Sequence, residues 1–238
     1  MERGRNLLFL AAVHGDEGFS IPILQGLERD FPQCFSWVVA NEEALRRGIR
    51  FTDTDLNRSA PGESASPHYE MRRAAQILET AKGYRFVIDV HGTTAESGIF
   101  VIVSNPTPCN IALAAALPIA NVVIWASKPP RKFGSLTQFV DCGVGIECGP
   151  KNSIVVQEDL RHILTAFLTA GVRPDPIRRQ NWFRVCGKIP SGHGLEGVRD
   201  FQETFIDDEC FYPLLVGQYE DVFCYMMQKI DFHDLLGY

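Results

Sequence analysis

The sequence predicts an α/β fold: a mixed, mostly parallel sheet flanked by helices, followed by a small C-terminal β-rich domain. Three observations predict it. Apolar runs of strand length alternate with segments of helical spacing from residue 7 to about residue 171. After a connector containing Pro174 and Pro176, the pattern changes to short apolar stretches split by glycines and acidic residues. The chain is 238 residues long, 45% hydrophobic and 22% charged, which suits one sizeable domain with an appendage and argues against disorder. The expected division is therefore a catalytic-sized unit over 1–178 and a β-rich unit over 179–238.

Leu7–Val13 is an apolar run stopped by Gly15 and reads as a buried strand. Ile21, Leu24, Leu27 and Phe31 give residues 18–31 helical spacing, and Phe35–Ala40 reads as a second strand. Residues 41–66 are polar, with Pro61-Gly62 and several serines, and read as one long loop; loops of that length are usually functional. Pro67–Lys82 is a helix opened by Pro and stopped by Gly83. Arg85–His91 and Ile99–Val103 are strands, Asn110–Ala120 is a helix, and Asn121–Ala126 is a β-branched strand. Gly143–Cys148 is a short strand and Ile154–Ala170 a helix. Beyond the connector, Trp182–Cys186, Phe211–Val216 and Val222–Met227 are the expected strands.

Net charge is −6, unevenly spread: residues 1–178 carry 18 basic and 19 acidic side chains, residues 179–238 carry 5 and 10. No basic stripe exists, so nucleic acid is excluded as a partner. No apolar run approaches the roughly 20 residues that span a bilayer, so no membrane role is expected. The N-terminal apolar run passes directly into charged residues, which disfavours a signal peptide and points to a cytoplasmic location. The seven cysteines form no CxxC pair and read as reduced, largely buried thiols.

Four segments carry chemistry. His14-Gly15-Asp16-Glu17 lies at a strand-to-helix junction, and Asp89-Val90-His91-Gly92-Thr93 ends another buried strand. Open α/β sheets place ligands at such strand ends. Two imidazoles and a carboxylate suit a catalytic zinc and leave one position for water. Asp89 and His91 point to the same side of a strand, so Asp89 can orient the imidazole. Arg50-Phe51-Thr52-Asp53-Thr54-Asp55-Leu56-Asn57-Arg58 occupies the long loop. Its arginines suit either a bound carboxylate or internal pairs with Asp53 and Asp55. Glu147, alone in the Gly-flanked apolar segment Gly143–Pro150, is either half of a structural ion pair or a general base with a raised pKa. His68 and His162 read as surface residues, His193 as a turn residue and His233 as solvated.

These segments, in their order along the chain (His14–Glu17, Arg50–Arg58, Asp89–Thr93, Gly143–Pro150), resemble the succinylglutamate desuccinylase/aspartoacylase family, a branch of the zinc carboxypeptidase-like superfamily. The likeness covers residues 7–150, and Phe211-Tyr212-Pro213-Leu214-Leu215 is similar to a Tyr-Pro strand of that family's small β domain. The resemblance implies one Zn2+ per subunit held by His14, Glu17 and His91. It implies that Glu147 activates the zinc-bound water as base and then acid, and that Arg50 polarises the scissile carbonyl. Asn57 and Arg58 would clamp the carboxylate of a small N-acyl amino acid.

Two departures bear on substrate recognition. The family's further arginine, about ten residues before the catalytic Glu, has no match in Gly134–Phe139; Arg131 or Lys132 would have to stand in. The family's small-domain tyrosine is matched by Tyr219, with Tyr212 behind it. The expected activity is zinc-dependent hydrolysis of an N-acyl amino acid. A metallocarboxypeptidase and a catalytically silent acid-binding member are the alternatives.

Overall fold

Ten strands join into one mixed sheet in this computed structural model, which describes residues 6–126, 132–172, 180–192, 197–206 and 208–232. The Pro174/Pro176 connector, the expected boundary at 178/179, Arg131, His193 and His233 lie outside the described residues. In chain order the elements are β1 (Leu7–Ala11), α1 (Ser20–Asp30), β2 (Ser36–Val39), α2 (Glu42–Arg47), α3 (Tyr69–Ala81), β3 (Phe86–Gly92) and β4 (Gly98–Val103). Then follow α4 (Pro108–Ala116), β5 (Asn121–Ile124), β6 (Gly143–Gly149), α5 (Ile154–Ala170), β7 (Asn181–Pro190), β8 (Thr204–Ile206), β9 (Glu209–Leu214) and β10 (Val222–Ile230).

The spatial order is β2-β1-β3-β6-β4-β5-β7-β10-β9-β8. β2, β1, β3 and β6 run parallel; β4 is antiparallel to β6. β7 pairs parallel with β5, and β10, β9 and β8 continue as antiparallel neighbours. The C-terminal segment is β-rich, as expected, and its strands extend the main sheet.

Both faces of the central sheet are covered, which is why its strands read as continuous apolar runs. Along β1, Leu7, Phe9 and Ala11 join the core beneath α1, α4 and α5, while Leu8 and Leu10 join the core beneath α3. Phe100, Val123, Phe183, Leu214 and Met227 form a third cluster binding the C-terminal strands to β4 and β5.

Residues 41–66 differ from the expected loop, because α2 forms inside them. Asn41 caps it through Ala44 N, Glu42 and Glu43 sit in the first turn, Arg46 and Arg47 in the last, and Gly48 closes it at φ 62°. The cysteines differ too. Cys109 and Cys142 form a disulfide with Cα atoms 5.6 Å apart, bringing the start of α4 to the start of β6. Of the free cysteines, Cys34, Cys186 and Cys210 are exposed. Pairing depends on where α4 and β6 meet, which spacing along the chain does not reveal. No helix among the described residues is long and apolar enough to cross a membrane.

Candidate metal centre and substrate cleft

The site follows from the order β1-β3-β6. Parallel neighbours put their C-terminal ends on one edge, so the turn after β1, the end of β3 and the end of β6 converge there. His91 and Glu147 are register partners across β3 and β6. At the end of β1, Ala12 adopts φ 52°, turning the chain into His14–Glu17. Gly15 allows that turn to press on α2: a Cβ there would stand 2.1 Å from Ala44 C and 2.4 Å from Ile49 O. Gly15 N also donates to Arg50 O at 3.0 Å, which fixes the start of the arginine-bearing loop.

His14, Glu17 and His91 are all buried, and their ligand atoms lie within 4.8 Å of one another. His14 Nδ1 is 2.8 Å from Glu17 Oε1, and His91 Nδ1 is 3.3 Å from Oε2. The far nitrogens are held by other carboxylates: His14 Nε2 by Asp55 at 3.1 Å and His91 Nε2 by Asp89 at 2.8 Å. With a carboxylate at both ring nitrogens, each neutral imidazole can direct its one N–H to either side. Once each Nε2–H donates outward, each Nδ1 turns a lone pair toward an anionic oxygen. Only a proton or a cation between them makes that arrangement favourable. Two imidazole nitrogens and one carboxylate fit the donor set of catalytic zinc.

The pKa shifts express the same geometry. Burial pulls both imidazoles down, but carboxylates outweigh it. Asp55 and Glu17 raise His14; Asp89 and Glu17 hold His91 well above its ordinary 6.5. Burial pushes Glu17 and Asp55 up, yet hydrogen bonds to the histidines hold both well below the usual carboxylate range. The stability linked to the imidazoles is full below 6.5 and is lost as pH rises through their folded values. That linked to Glu17 and Asp55 is present above 4.5 and 3.8 and is lost as pH falls through their folded values. Metal-free protein is therefore expected to lose thermal stability as pH rises above the imidazole range. A cation displaces the protons, so the gain in Tm on adding Zn2+ should be larger at about pH 8 than at about pH 5.5. Melting curves with chelator and with zinc check this; an equal gain at both pH values contradicts it.

Glu147 faces the cleft with no hydrogen-bond partner among the described residues. Burial pushes its carboxyl up to about 7, with the charge of His91 opposing and that of Glu17 adding. The next residue, Cys148, points the other way into the core, as strand alternation requires, and burial holds its thiol well up.

The loop carrying the arginines is organised by Glu70 of α3. Its Oε1 accepts from Thr52 N (2.6 Å), Thr52 Oγ1 (2.8 Å) and Asn41 Nδ2 (3.2 Å); its Oε2 accepts from Asp53 N (3.0 Å) and Thr54 N (3.1 Å). Arg50 Nη1 donates to Glu17 at 3.3 Å, and Nη2 lies 3.6 Å from Asp55. Asp53 instead accepts from Tyr69 N. Arg58 binds Asn57 O at 2.8 Å and has no carboxylate partner among the described residues. Asn57 has a buried Oδ1 without a partner, and its Nδ2 is 3.5 Å from His91 Nε2, which already donates to Asp89. Turning this amide over would aim the oxygen at that N–H and free Nδ2 for the cleft.

The cleft holds about 400 Å³ and brings together His14, Glu17, Arg50, Asn57, Arg58, His91, Glu147 and Tyr219. It does not include Lys132, whose Nζ sits 4.9 Å over the Phe133 ring. Sequence reasoning missed several residues here. Lys188 of β7 lines the cleft and forms no ion pair among the described residues. Trp125 and Tyr225 form an aromatic wall 4.5 Å apart, with Tyr219 6.0 Å from Tyr225. Glu70 had a readable signal: with Ala74, Ile77 and Ala81 it lies on the buried face of α3, where a carboxylate needs partners. Lys188 and Tyr225 had none, since β7 and β10 reach the cleft only through the sheet order.

Comparison with known proteins bears on the fold that carries this site. A profile of the succinylglutamate desuccinylase/aspartoacylase catalytic domain matches residues 3–170. A probable aspartoacylase of Trichodesmium erythraeum (strain IMS101) is 29% identical over 179 residues, 67% of this chain and 61% of that protein. An N-acyl-aromatic-L-amino acid amidohydrolase (carboxylate-forming) of Mus musculus is 31% identical over 144 residues, 52% of this chain and 44% of its own length. The matched region thus spans about two-fifths to three-fifths of these curated relatives. Among solved structures, murine aminoacylase 3 superposes with a TM-score of 0.76 at 18% identity, covering 97% of each chain. The succinylglutamate desuccinylase of Chromobacterium violaceum gives 0.70 at 18%, covering 96% of this chain and 86% of that one. At such identities the superpositions establish the shared fold.

Proposed function

The chain belongs to the succinylglutamate desuccinylase/aspartoacylase family, and from that premise we propose that it is a zinc-dependent amidohydrolase that removes the acyl group from a small N-acyl amino acid. The observation that carries this is the pair of buried Nδ1 atoms facing Glu17, beside a Glu147 carboxylate without a partner. His14, Glu17 and His91 would hold the cation. When bound, it supplies Lewis acidity, making water a usable nucleophile near neutral pH and drawing charge from the carbonyl.

This chain's residues supply the rest. Glu147, ionised above about pH 7, accepts a proton from the attacking water. It returns that proton to the amide nitrogen as the C–N bond breaks, so water is divided between a carboxylate and a free amino acid. Arg50, already held by Glu17 and Asp55, presents preorganised positive charge to the carbonyl oxygen. Arg58 and Asn57 would hold the substrate carboxylate, Arg58 because no acidic side chain among the described residues claims its guanidinium. Tyr219, with Tyr225 and Trp125, would cover the apolar part of the substrate.

A panel of N-acetyl and N-succinyl amino acids and short peptides, offered to zinc-loaded protein, tests the proposal. Amino acid release from the N-acyl substrates is expected, with peptides cleaved far more slowly. Preferential removal of C-terminal residues from peptides would instead make it a carboxypeptidase. Retention of the biological effect in a His14→Ala, His91→Ala double variant would make it a silent binding member.

A further inference from the structure

We propose that Gln218 is a positioning residue for substrate binding, latching the loop that carries Tyr219 onto the backbone that follows His91. Residues 215–221 connect β9 to β10, and this loop reaches the cleft through Leu215, Gln218 and Tyr219. Gln218 Oε1 accepts four hydrogen bonds: from Thr93 Oγ1 (2.6 Å), Thr94 N (3.0 Å), Thr94 Oγ1 (2.7 Å) and Ala95 N (3.1 Å). An amide oxygen has two lone pairs, so this acceptor is saturated. The donors come two to four residues after His91 in the chain, and more than 120 residues before Gln218.

The loop's other hydrogen bonds stay inside the C-terminal strands. Leu215 N and Val216 N donate to Asp200, Gly217 N to Phe223 O, and Asp221 O accepts from Ser191 N. Among the described residues, every hydrogen bond from 215–221 to residues 6–172 therefore runs through the Gln218 side chain. The next residue, Tyr219, is 40% exposed and, among the described aromatic rings, meets only Tyr225, in a T-shaped pair. Releasing Oε1 opens the exposed Thr94 donors to water, and Ala95 N keeps Thr93 Oγ1 as an acceptor at 3.2 Å, so the core persists while the cleft wall loosens. A wall that is only sometimes in place lowers apparent affinity by its populated fraction and leaves the chemistry at Glu147 intact. The substrate half of this proposal rests on the N-acyl amino acid reading; the latch does not.

Hydrogen exchange with and without zinc reads the latch directly. Gln218→Leu is expected to reduce protection of the Thr94 and Ala95 amides and of residues 215–221 by about tenfold or more. Gln218→Asn, one carbon too short, should do the same and serves if the Leu variant fails to fold. Gln218→Glu keeps an acceptor and should retain protection. With a hydrolysed N-acyl amino acid, KM should rise about tenfold in the Leu and Asn variants while kcat stays within about threefold. Unchanged protection in both variants overturns the latch, and a fall in kcat at constant KM overturns its role in binding. If the wild type hydrolyses no N-acyl amino acid, the proposed function and the binding role fall together, and exchange still decides the latch.

Discussion

Replacing Glu147 with Gln is expected to lower kcat by about 10³-fold while zinc content and melting behaviour stay close to wild type. The two side chains have the same shape, so the β6 edge and its register with His91 are kept. What is lost is a carboxylate that can take a proton. Its surroundings make that loss severe: the group has no hydrogen-bond partner among the described residues and sits among His91, Glu17 and His14, which dominate its charge environment. The pH profile carries the same signature. A base with its pKa near 7 is mostly protonated below that value, so wild-type kcat/KM should fall about tenfold per unit on the acid side. A bound cation favours the carboxylate and moves this limb to lower pH. The Gln variant should lose the limb altogether. Kinetics across pH with parallel metal analysis checks both parts; undiminished activity in Glu147→Gln refutes the assignment.

The second large effect is expected at Glu70, which touches no part of the cleft. Glu70→Ala should cost about 2–4 kcal/mol of stability and about 100-fold in kcat/KM. Five donors converge on this carboxylate, three of them backbone amides of Thr52, Asp53 and Thr54. Burial pushes its pKa up, but these hydrogen bonds win and hold it below its ordinary value, so the group stays ionised near neutral pH. Removing it frees the segment that holds Arg50, Asp55, Asn57 and Arg58 in place. Asp55 in turn orients His14, so the damage reaches the candidate metal centre. Glu70→Gln should rescue poorly, because one end of its head group presents N–H to N–H. Denaturation midpoints and kcat/KM for both variants test this; wild-type kinetics in Glu70→Ala would show that the loop needs no such anchor.

Much of this architecture was legible in the sequence, for a physical reason. Strands buried on both faces, such as Leu7–Ala11 and Phe86–Gly92, must be apolar throughout, and helices covering them must carry one apolar stripe. The order of four short motifs marked His14, Glu17, His91 and Glu147, because polar groups at the ends of apolar strands stand out. α2 was hidden, since its six residues are too few and too polar for periodicity. Its cap, its charge gradient and Gly48 were the only signs. Asp55 was read as a partner for arginine, yet it also holds His14; one carboxylate does both, which spacing does not reveal. Lys188, Tyr225 and Gln218 enter the cleft because β7 joins the sheet beside β5, an event between distant segments.

The most direct test of the account is a zinc titration of chelator-stripped protein, following amino acid release from an N-acyl amino acid. Activity should be absent at the start and rise to a plateau at about one Zn2+ per chain. The His91→Ala variant should show no such rise. Full activity in the stripped protein, or an unaltered titration in His91→Ala, would contradict the assignment of His14, Glu17 and His91 as the metal centre.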